Sequence, residues 1–126
     1  MTASNVVVDS SGWLEYLTQD TKWNLFVPYL EDPGVTVLVP AIVLYEVRKI
    51  LLFKQLDALA DLFVSEAFRR TVAPIDAHVA LDGARLSVQY KLSMAYAMIY
   101  ATARYHGMEL VTSDAHFSGL PGVTLL

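Results

Sequence analysis

The sequence predicts an α/β fold in which a central, mostly parallel sheet of four or five strands is flanked by helices. Two observations carry this prediction. Short apolar runs rich in β-branched residues alternate with longer segments of helical spacing over the whole chain. The runs show no polar alternation, which is typical of strands that are buried on both faces of a parallel sheet. The 126 residues are expected to form one domain, residues 1–126, without a repeat, linker or low-complexity segment.

The first predicted strand is the run 6–8, which ends at Asp9. The segment that follows, residues 12–17, has helical spacing, so Ser10 or Ser11 is the expected N-cap. Asp9 is therefore expected at the carboxyl end of a strand, where open α/β sheets bind their ligands. From this stretch alone, a role in capping the helix explains Asp9 equally well.

Periodicity and turn residues predict the next elements. Residues 22–30 repeat apolar side chains on one helical face, and the Asp-Pro-Gly sequence at 32–34 forms a turn. The run 35–39 is a second buried strand. Pro40 suits the start of the helix that follows, residues 41–53.

The second half of the chain repeats the alternation of helix and strand. A helix over 56–70 precedes a short third strand at 71–73. Asp76 is the expected N-cap of a helix over 77–90, and Ser93 that of a helix over 94–105, which Gly107 terminates. A fourth strand at 110–112 and a last one at 123–126 complete the predicted sheet.

Composition limits the classes of function. Hydrophobic residues make up 55% of the chain and the mean hydropathy is +0.41, so either the core is large or some apolar surface serves a partner. No apolar run is long enough to span a bilayer, and no positive charge precedes the first one, so we expect neither a membrane span nor a signal peptide. The absence of cysteine suits a cytoplasmic protein. A net charge of −4 means that nucleic acid would require a local basic patch or bound cations.

Two acidic residues follow strands that are expected to end at the same edge of the sheet. Asp9 ends the first strand and Asp114 follows the fourth, and crowded carboxylates are usually neutralised by a bound cation. Glu46 lies on the otherwise apolar first turns of the helix 41–53, where it needs a metal or a cationic partner such as Arg48 or Lys49. A site made of oxygen ligands favours Mg²⁺ or Mn²⁺ over zinc.

At this point the chain resembles a PIN domain, most closely the VapC-type toxins of bacterial toxin–antitoxin pairs. The matching stretches are VDSS at 8–11, YEV at 45–47, KLSMAYAMIYATA at 91–103, LVTSD at 110–114 and FSGLPGV at 117–123. The resemblance covers essentially the whole chain. It implies a PIN-like three-layer sandwich.

The resemblance also implies an activity. Such toxins are similar to magnesium-dependent endoribonucleases with an acidic pocket of three nearly invariant acids and a less strict fourth. By position, Asp9 corresponds to the first acid, Glu46 to the second and Asp114 to the fourth. These residues would hold one or two Mg²⁺ or Mn²⁺ ions, which position a water for attack on an RNA phosphodiester and neutralise charge in the transition state.

Tyr96 stands where the family has its third acid. With Ser93 as N-cap, residue 96 is the N3 position, where the bare N–H groups and the helix dipole favour a carboxylate. A phenol is a poor ligand for a hard cation. Tyr96 is an inactivating change, a natural variant with weak metal binding, or the product of an alignment offset. We expect the chain to be a catalytically impaired nuclease.

Several other residues are candidates for contact with RNA or a partner. Phosphate contacts or hydroxyl support of the site are expected from Ser10, Arg48, Lys49, Arg85, Lys91, Thr112 and Ser113, although solvated helix faces and capping explain them as well. His116 is close to Asp114 in sequence, which makes it a candidate for substrate binding, but a surface-loop residue is the favoured interpretation. The resemblance further implies a homodimer or toxin–antitoxin complex, with an antitoxin groove for which the candidates are Trp13, Trp23, Val47 and Leu51. The alternative to an enzyme is a PIN-fold module that binds antitoxin or RNA without cleavage.

Overall fold

A five-stranded parallel sheet forms the centre of the computed structural model, which describes residues 5–126. The strands are β1 (Asn5–Val8), β2 (Thr36–Pro40), β3 (Thr71–Ala73), β4 (Glu109–Thr112) and β5 (Val123–Leu125), in the order β3-β2-β1-β4-β5. Residues 1–4, which hold most of the stretch used to judge the absence of a signal peptide, lie outside the described residues. The predicted mostly parallel sheet is confirmed.

Six helices flank this sheet. They are α1 (Ser10–Thr18), α2 (Trp23–Leu30), α3 (Ala41–Phe53), α4 (Asp57–Phe68), α5 (Ala77–Tyr90) and α6 (Met94–Tyr105), and a short 3-10 turn spans Ala115–Phe117. Among residues 5–126, no helix has both the length and the apolar character that crossing a bilayer requires.

β1 is the central strand, and its position explains its sequence. Val6, Val7 and Val8 are all fully buried, and consecutive strand residues point to opposite faces. Both faces of the sheet are therefore covered, which confirms the layered α/β architecture. β1 pairs with β2 on one side and with β4 on the other, where Val8 is in register with Val111.

The start of α1 differs from the prediction. Asp9, and neither Ser10 nor Ser11, is the N-cap: its backbone is extended and its carboxylate accepts a hydrogen bond from the Gly12 N–H. The reason is that both serine side chains are bound to carboxylates instead. α1 consequently begins at Ser10 rather than at residue 12.

The other predicted helix ends agree with the structure, with one qualification. Asp76 caps α5 by accepting from the Val79 N–H, and Gly107 adopts the left-handed conformation after α6, with φ of 64°. Ser93 occupies the N-cap position of α6, but within the described residues its hydroxyl makes no capping hydrogen bond.

Candidate acidic site at the carboxyl edge of the sheet

Asp9 and Asp114 lie at the carboxyl ends of the neighbouring strands β1 and β4. The Asp9 N–H donates to the Val111 carbonyl at 3.2 Å, so the ladder between the two strands continues to this edge. Thr112 then joins the two acids: its hydroxyl donates to Asp9 Oδ2 at 2.6 Å and accepts from the Asp114 N–H at 2.9 Å. The parallel pairing therefore brings residues from the two ends of the chain into one network.

Asp9 is the buried member of this network. It is 2% exposed, and its carboxylate accepts hydrogen bonds from the Ser11 hydroxyl, the Gly12 N–H and the Thr112 hydroxyl. Burial raises the pKa of Asp9, and these three donors offset only part of that effect. Asp9 is thus both the helix cap and a carboxylate facing the ligand-binding edge, so the two sequence interpretations are compatible.

Ser11 was not among the predicted site residues, yet it links Asp9 and Ser113. Its hydroxyl is 2.8 and 2.9 Å from the two Asp9 oxygens, and it accepts from the Ser113 N–H at 3.3 Å and the Ser113 hydroxyl at 3.2 Å. The sequence signal was available, because a hydroxyl two residues after an acid at a strand end is placed to bind that acid. Of the predicted residues Thr112 and Ser113, the first donates its hydroxyl to Asp9 directly, and the second reaches Asp9 only through Ser11.

Tyr96 closes the exposed side of Asp114. The phenol hydroxyl donates to Asp114 Oδ2 at 2.8 Å, and the ring stacks on His116 with 4.8 Å between centroids and 21° between planes. His116 Nδ1 lies 2.6 Å from Asp114 Oδ1, and the His116 N–H donates to the same oxygen at 2.9 Å. His116 therefore belongs to the site, although its side chain is 68% exposed. The interpretation of His116 as a surface-loop residue agrees with its exposure but does not account for its contacts with Asp114 and Tyr96.

These contacts set the electrostatics of Asp114 and Tyr96. Burial raises the pKa of Asp114, but hydrogen bonds from the His116 N–H, the His116 ring and Tyr96 outweigh it, so the pKa lies below its usual value. The pKa of Tyr96 is raised to about 12 by burial, by its bond to Asp114 and by the negative charges of Asp114, Glu46 and Asp9. The phenol therefore keeps its proton and lies within the field of all three carboxylates.

Glu46 reaches the site from α3. Its Oε1 accepts a hydrogen bond from the Ser10 hydroxyl at 2.7 Å. The alternative that Glu46 pairs with Arg48 or Lys49 is not what the structure has: Arg48 pairs with Asp61, and Lys49 lies over the Tyr45 ring. Helical geometry explains Arg48, which is two positions from Glu46 and projects from another side of α3, whereas Lys49 is within reach but directs its ammonium to the Tyr45 ring.

The side chains as they stand do not fit a shared divalent cation. Within residues 5–126, no three His, Asp or Glu side chains converge closely enough to hold one ion. Asp9 already receives three donors, and the Tyr96 hydroxyl takes up one oxygen of Asp114. The carboxylates share an edge of the sheet, but protein donors occupy the positions that a metal would take.

The predicted phosphate contacts divide into two groups. Lys91 lines a cavity of about 290 Å³ with Ser93, Tyr96 and His116, the last two of which contact Asp114. Lys49 shares a second cavity, of about 270 Å³, with Glu46. Arg48 is engaged by Asp61, and Arg85 contacts Asp82 and Gln89 on its own helix, so these two fit the alternative of a solvated helix face.

The predicted antitoxin groove requires correction. Trp13, Val47 and Leu51 are buried in the core, and only Trp23 is half-exposed. Their helices are covered on more than one side, so apolar spacing alone did not separate core from surface. Two surface cavities exist nearby. One, of about 490 Å³ between α1, α2 and α4, includes Tyr16, Leu17 and Leu62, and the other, of about 630 Å³ between α3 and α4, includes Leu44, Tyr45 and Phe68.

Comparison with known proteins identifies the fold family. The sequence matches the family model for the PIN domain over residues 6–123. A search of curated proteins found no match.

Several solved structures share the fold. A toxin–antitoxin complex from Klebsiella pneumoniae has a TM-score of 0.78 at 22% identity, covering 94% of this chain and 95% of that one. Mycobacterium tuberculosis VapC20, a toxin that cleaves the sarcin–ricin loop, has a TM-score of 0.73 at 20% identity, covering 94% and 96%. VapBC2 from Rickettsia felis, bound to a promoter DNA fragment, has a TM-score of 0.72 at 16% identity, covering 97% of each chain. At these identities the likeness concerns the fold.

Proposed function

Because this chain belongs to the PIN domain family, we propose that it is the toxin of a toxin–antitoxin pair, built as a divalent-metal-dependent endoribonuclease and impaired by Tyr96. Similar folds occur in toxin–antitoxin complexes and in a toxin that cleaves the sarcin–ricin loop. PIN nucleases generally use divalent metal ions, which would be Mg²⁺ or Mn²⁺ at oxygen ligands. The catalytic and metal-binding residues of the proposal are Asp9, Glu46 and Asp114. RNA cleavage would take place in the cytoplasm.

The hydrogen bond from Tyr96 to Asp114 carries the proposal of impairment. A neutral phenol at this position supplies no ligand charge, and it covers the carboxylate that a cation would need. Removal of residues that merely orient a metal ligand costs about 10- to 100-fold in affinity or activity, and loss of a ligand itself costs more. The chain as written is therefore a poor nuclease.

Cleavage of RNA by this chain and by its Tyr96→Asp variant, each with Mg²⁺ and with Mn²⁺, tests the proposal. We expect the variant to cleave at least about 10-fold faster. The Tyr96→Asn variant is the matched control, because it removes the ring without adding charge. Equal rates for all three proteins would overturn the proposal.

A non-catalytic binding module is the second candidate function, and the same hydrogen bond favours it. With the acids engaged by protein donors, the surface can still bind RNA or antitoxin. Calorimetry distinguishes the two candidates. Binding of Mn²⁺ by Tyr96→Asp that is lost when Asp9→Asn is added supports the nuclease, whereas no binding by either this chain or Tyr96→Asp supports the module.

An antitoxin protein and a second copy of the chain are the proposed protein partners. Large apolar side chains are exposed on α3, α5 and α6, among them Phe53 at 89% and Val88 at 83%. Exposed apolar side chains are contiguous around the groove between α3 and α4, which Tyr45, Leu52 and Phe68 line, and a contiguous apolar patch is typical of a surface that a partner covers. Light scattering coupled to size-exclusion chromatography measures the oligomeric state directly, and we expect a dimer.

A further inference from the structure

We propose that the cavity lined by Tyr96, His116, Lys91 and Ser93 is a nucleotide-binding pocket, which takes one base and one phosphate of single-stranded RNA next to the acidic site. The proposal rests on RNA being the substrate class suggested above. It adds the residues that would hold the RNA when the chain does not cleave it.

The His116 ring provides the stacking surface. One face of the imidazole lies on the Tyr96 ring at 4.8 Å, and with 68% of the side chain exposed the opposite face is open. The ring is held by the stack on Tyr96 and by Nδ1 at 2.6 Å from Asp114, and Tyr96 is in turn supported by the Phe117 ring, which packs edge-on against it at 5.2 Å. An exposed aromatic ring that is fixed in this way suits a base, because little conformational freedom is lost on stacking.

Lys91 and the free hydroxyl of Ser93 provide the polar half of the pocket. Lys91 is the C-cap of α5, where its backbone is left-handed with φ of 57°, and it is exposed on the wall of the cavity. A lysine here gives an acidic protein a local cation for a phosphate. Ser93 is spared from capping α6, so its hydroxyl is available to a ligand. The cavity, at about 290 Å³, is at the small end of the range of ligand pockets, which suits a single nucleotide rather than a longer segment.

The arrangement gives Tyr96 a second consequence. The phenol that covers Asp114 is also the ring that supports His116. An acid at this position would leave the imidazole without its stacking partner. The residue that blocks the metal site therefore builds the binding surface, so retained RNA binding and lost cleavage come from one side chain.

Fluorescence anisotropy with labelled single-stranded oligo(A) and oligo(U) in EDTA tests the pocket. We expect His116→Ala to weaken binding at least about 5-fold, since stacking of one base on an aromatic side chain is worth that much. His116→Phe, which keeps the ring, should bind within about 3-fold of the unmodified chain. Lys91→Ala should weaken binding and should make the slope of log K against log salt less negative by about 0.7.

His78→Ala is the matched control. His78 is exposed and stacks on Tyr105 at 5.5 Å and 18°, which is the same arrangement away from the acids. We expect it to bind RNA as the unmodified chain does. Thermal denaturation of each variant verifies that it is folded. A strand of abasic nucleotides should bind as weakly to the unmodified chain as RNA binds to His116→Ala.

Three outcomes would overturn the pocket: equal effects of His116→Ala and His78→Ala, equal affinity for abasic and normal strands, or no binding of RNA by the unmodified chain. If these substitutions weaken the binding of an acidic peptide but not that of RNA, the surface belongs to a protein partner, and the proposed nucleotide pocket is overturned too. The proposed nuclease is judged separately by the Tyr96→Asp cleavage experiment, which can succeed when the pocket fails and can fail when the pocket is found.

Discussion

The Tyr96 hydroxyl donates a 2.8 Å hydrogen bond to Asp114 Oδ2, and this contact replaces what would otherwise be repulsion between two neighbouring acids. A third acid in the field of Asp9, Glu46 and Asp114 would raise the electrostatic cost of the folded state unless a cation were bound. A neutral donor removes that requirement. In the proposed metal site, the chain would therefore not need a cation for stability at the position where a ligand is lacking.

Removing the phenol hydroxyl tests this contact. Tyr96→Phe should lower the free energy of unfolding by about 1 kcal/mol at neutral pH, because a hydrogen bond to a partly buried carboxylate is lost. It should also raise the pKa of Asp114. Since the folded pKa of Asp114 is depressed, its stabilisation exists above the unfolded pKa and disappears as pH falls through the folded value. The difference between the two proteins should thus shrink in acid, as urea denaturation over a pH series will reveal. A difference that grows in acid would contradict this account.

Adding the missing acid should make stability depend on metal. Tyr96→Asp should denature at lower temperature than the unmodified chain in EDTA, and Mn²⁺ should restore much of the loss by binding the folded state alone. The unmodified chain should show little response to Mn²⁺. Thermal denaturation with and without Mn²⁺ measures both effects, and Tyr96→Asn separates the effect of the added charge from that of the lost ring. A large increase in the melting temperature of the unmodified chain with Mn²⁺ would contradict the conclusion that protein donors already occupy its carboxylates.

Asp9 should destabilise the folded state increasingly as it ionises. Burial raises the pKa of Asp9, so the protonated side chain stabilises the folded state. This stabilisation is fully present below the unfolded pKa and is lost as pH rises through the folded pKa. Asp9→Asn keeps an oxygen for the Gly12 N–H and cannot ionise, so its stability relative to the unmodified chain should increase with pH. Asp9→Ala, which leaves Ser11, Gly12 and Thr112 without their acceptor, should cost about 2–4 kcal/mol. Urea denaturation at mildly acidic and mildly basic pH compares the three proteins.

Ser11 should matter more for stability than its neighbour Ser10. Ser11→Ala removes the donor to Asp9 and the acceptor for Ser113, which we expect to cost about 1–2 kcal/mol. Ser10→Ala removes one bond to Glu46, a half-exposed carboxylate that water can solvate, and should cost about 0.5 kcal/mol or less. Equal losses in chemical denaturation would show that Ser11 does not link the two strand ends.

Two buried helical glycines should respond oppositely to alanine. A Cβ at Gly12 would lie 2.6 Å from both Phe26 Cε1 and Val8 Cγ1, so Gly12→Ala should cost about 1–3 kcal/mol through displaced core side chains. A Cβ at Gly83 would meet the flexible Met98 Sδ at 3.2 Å, so Gly83→Ala should be neutral or stabilising by up to about 1 kcal/mol. Thermal denaturation distinguishes the two, and a destabilised Gly83→Ala protein would contradict the prediction.

The fold was predictable because its three inner strands, β1, β2 and β4, are short apolar runs that are largely buried. The limits of α3, α5 and α6 agree with the apolar periodicity and the turn residues around them. The start of α1 was not predictable from capping preference alone, since serine and aspartate compete for the same position. Asp9 prevailed because both serine hydroxyls found carboxylate acceptors, one of them on α3.

The site was predictable in its acids and less so in their partners. Parallel strand ends bring Asp9 and Asp114 to one edge whatever the rest of the chain does, and sequence reasoning found both. The contacts of His116 depend on a 3-10 turn that the sequence did not indicate. The burial of Trp13, Val47 and Leu51 depends on how helices pack, which apolar spacing within one helix does not specify.

The central position of β1 has a consequence for the order of assembly during synthesis. β1 gains β2 as a neighbour early, but its other neighbour, β4, is made about a hundred residues later, and Asp9 meets Thr112 across a separation of 103. Ribosomes add roughly 5–20 residues per second, so a nascent chain carries Asp9 and Glu46 for several seconds before Asp114 exists. Loop closure over such a span is slow and comes late in folding. If the chain is the proposed nuclease, its acidic site is thus incomplete for as long as the messenger RNA is being translated.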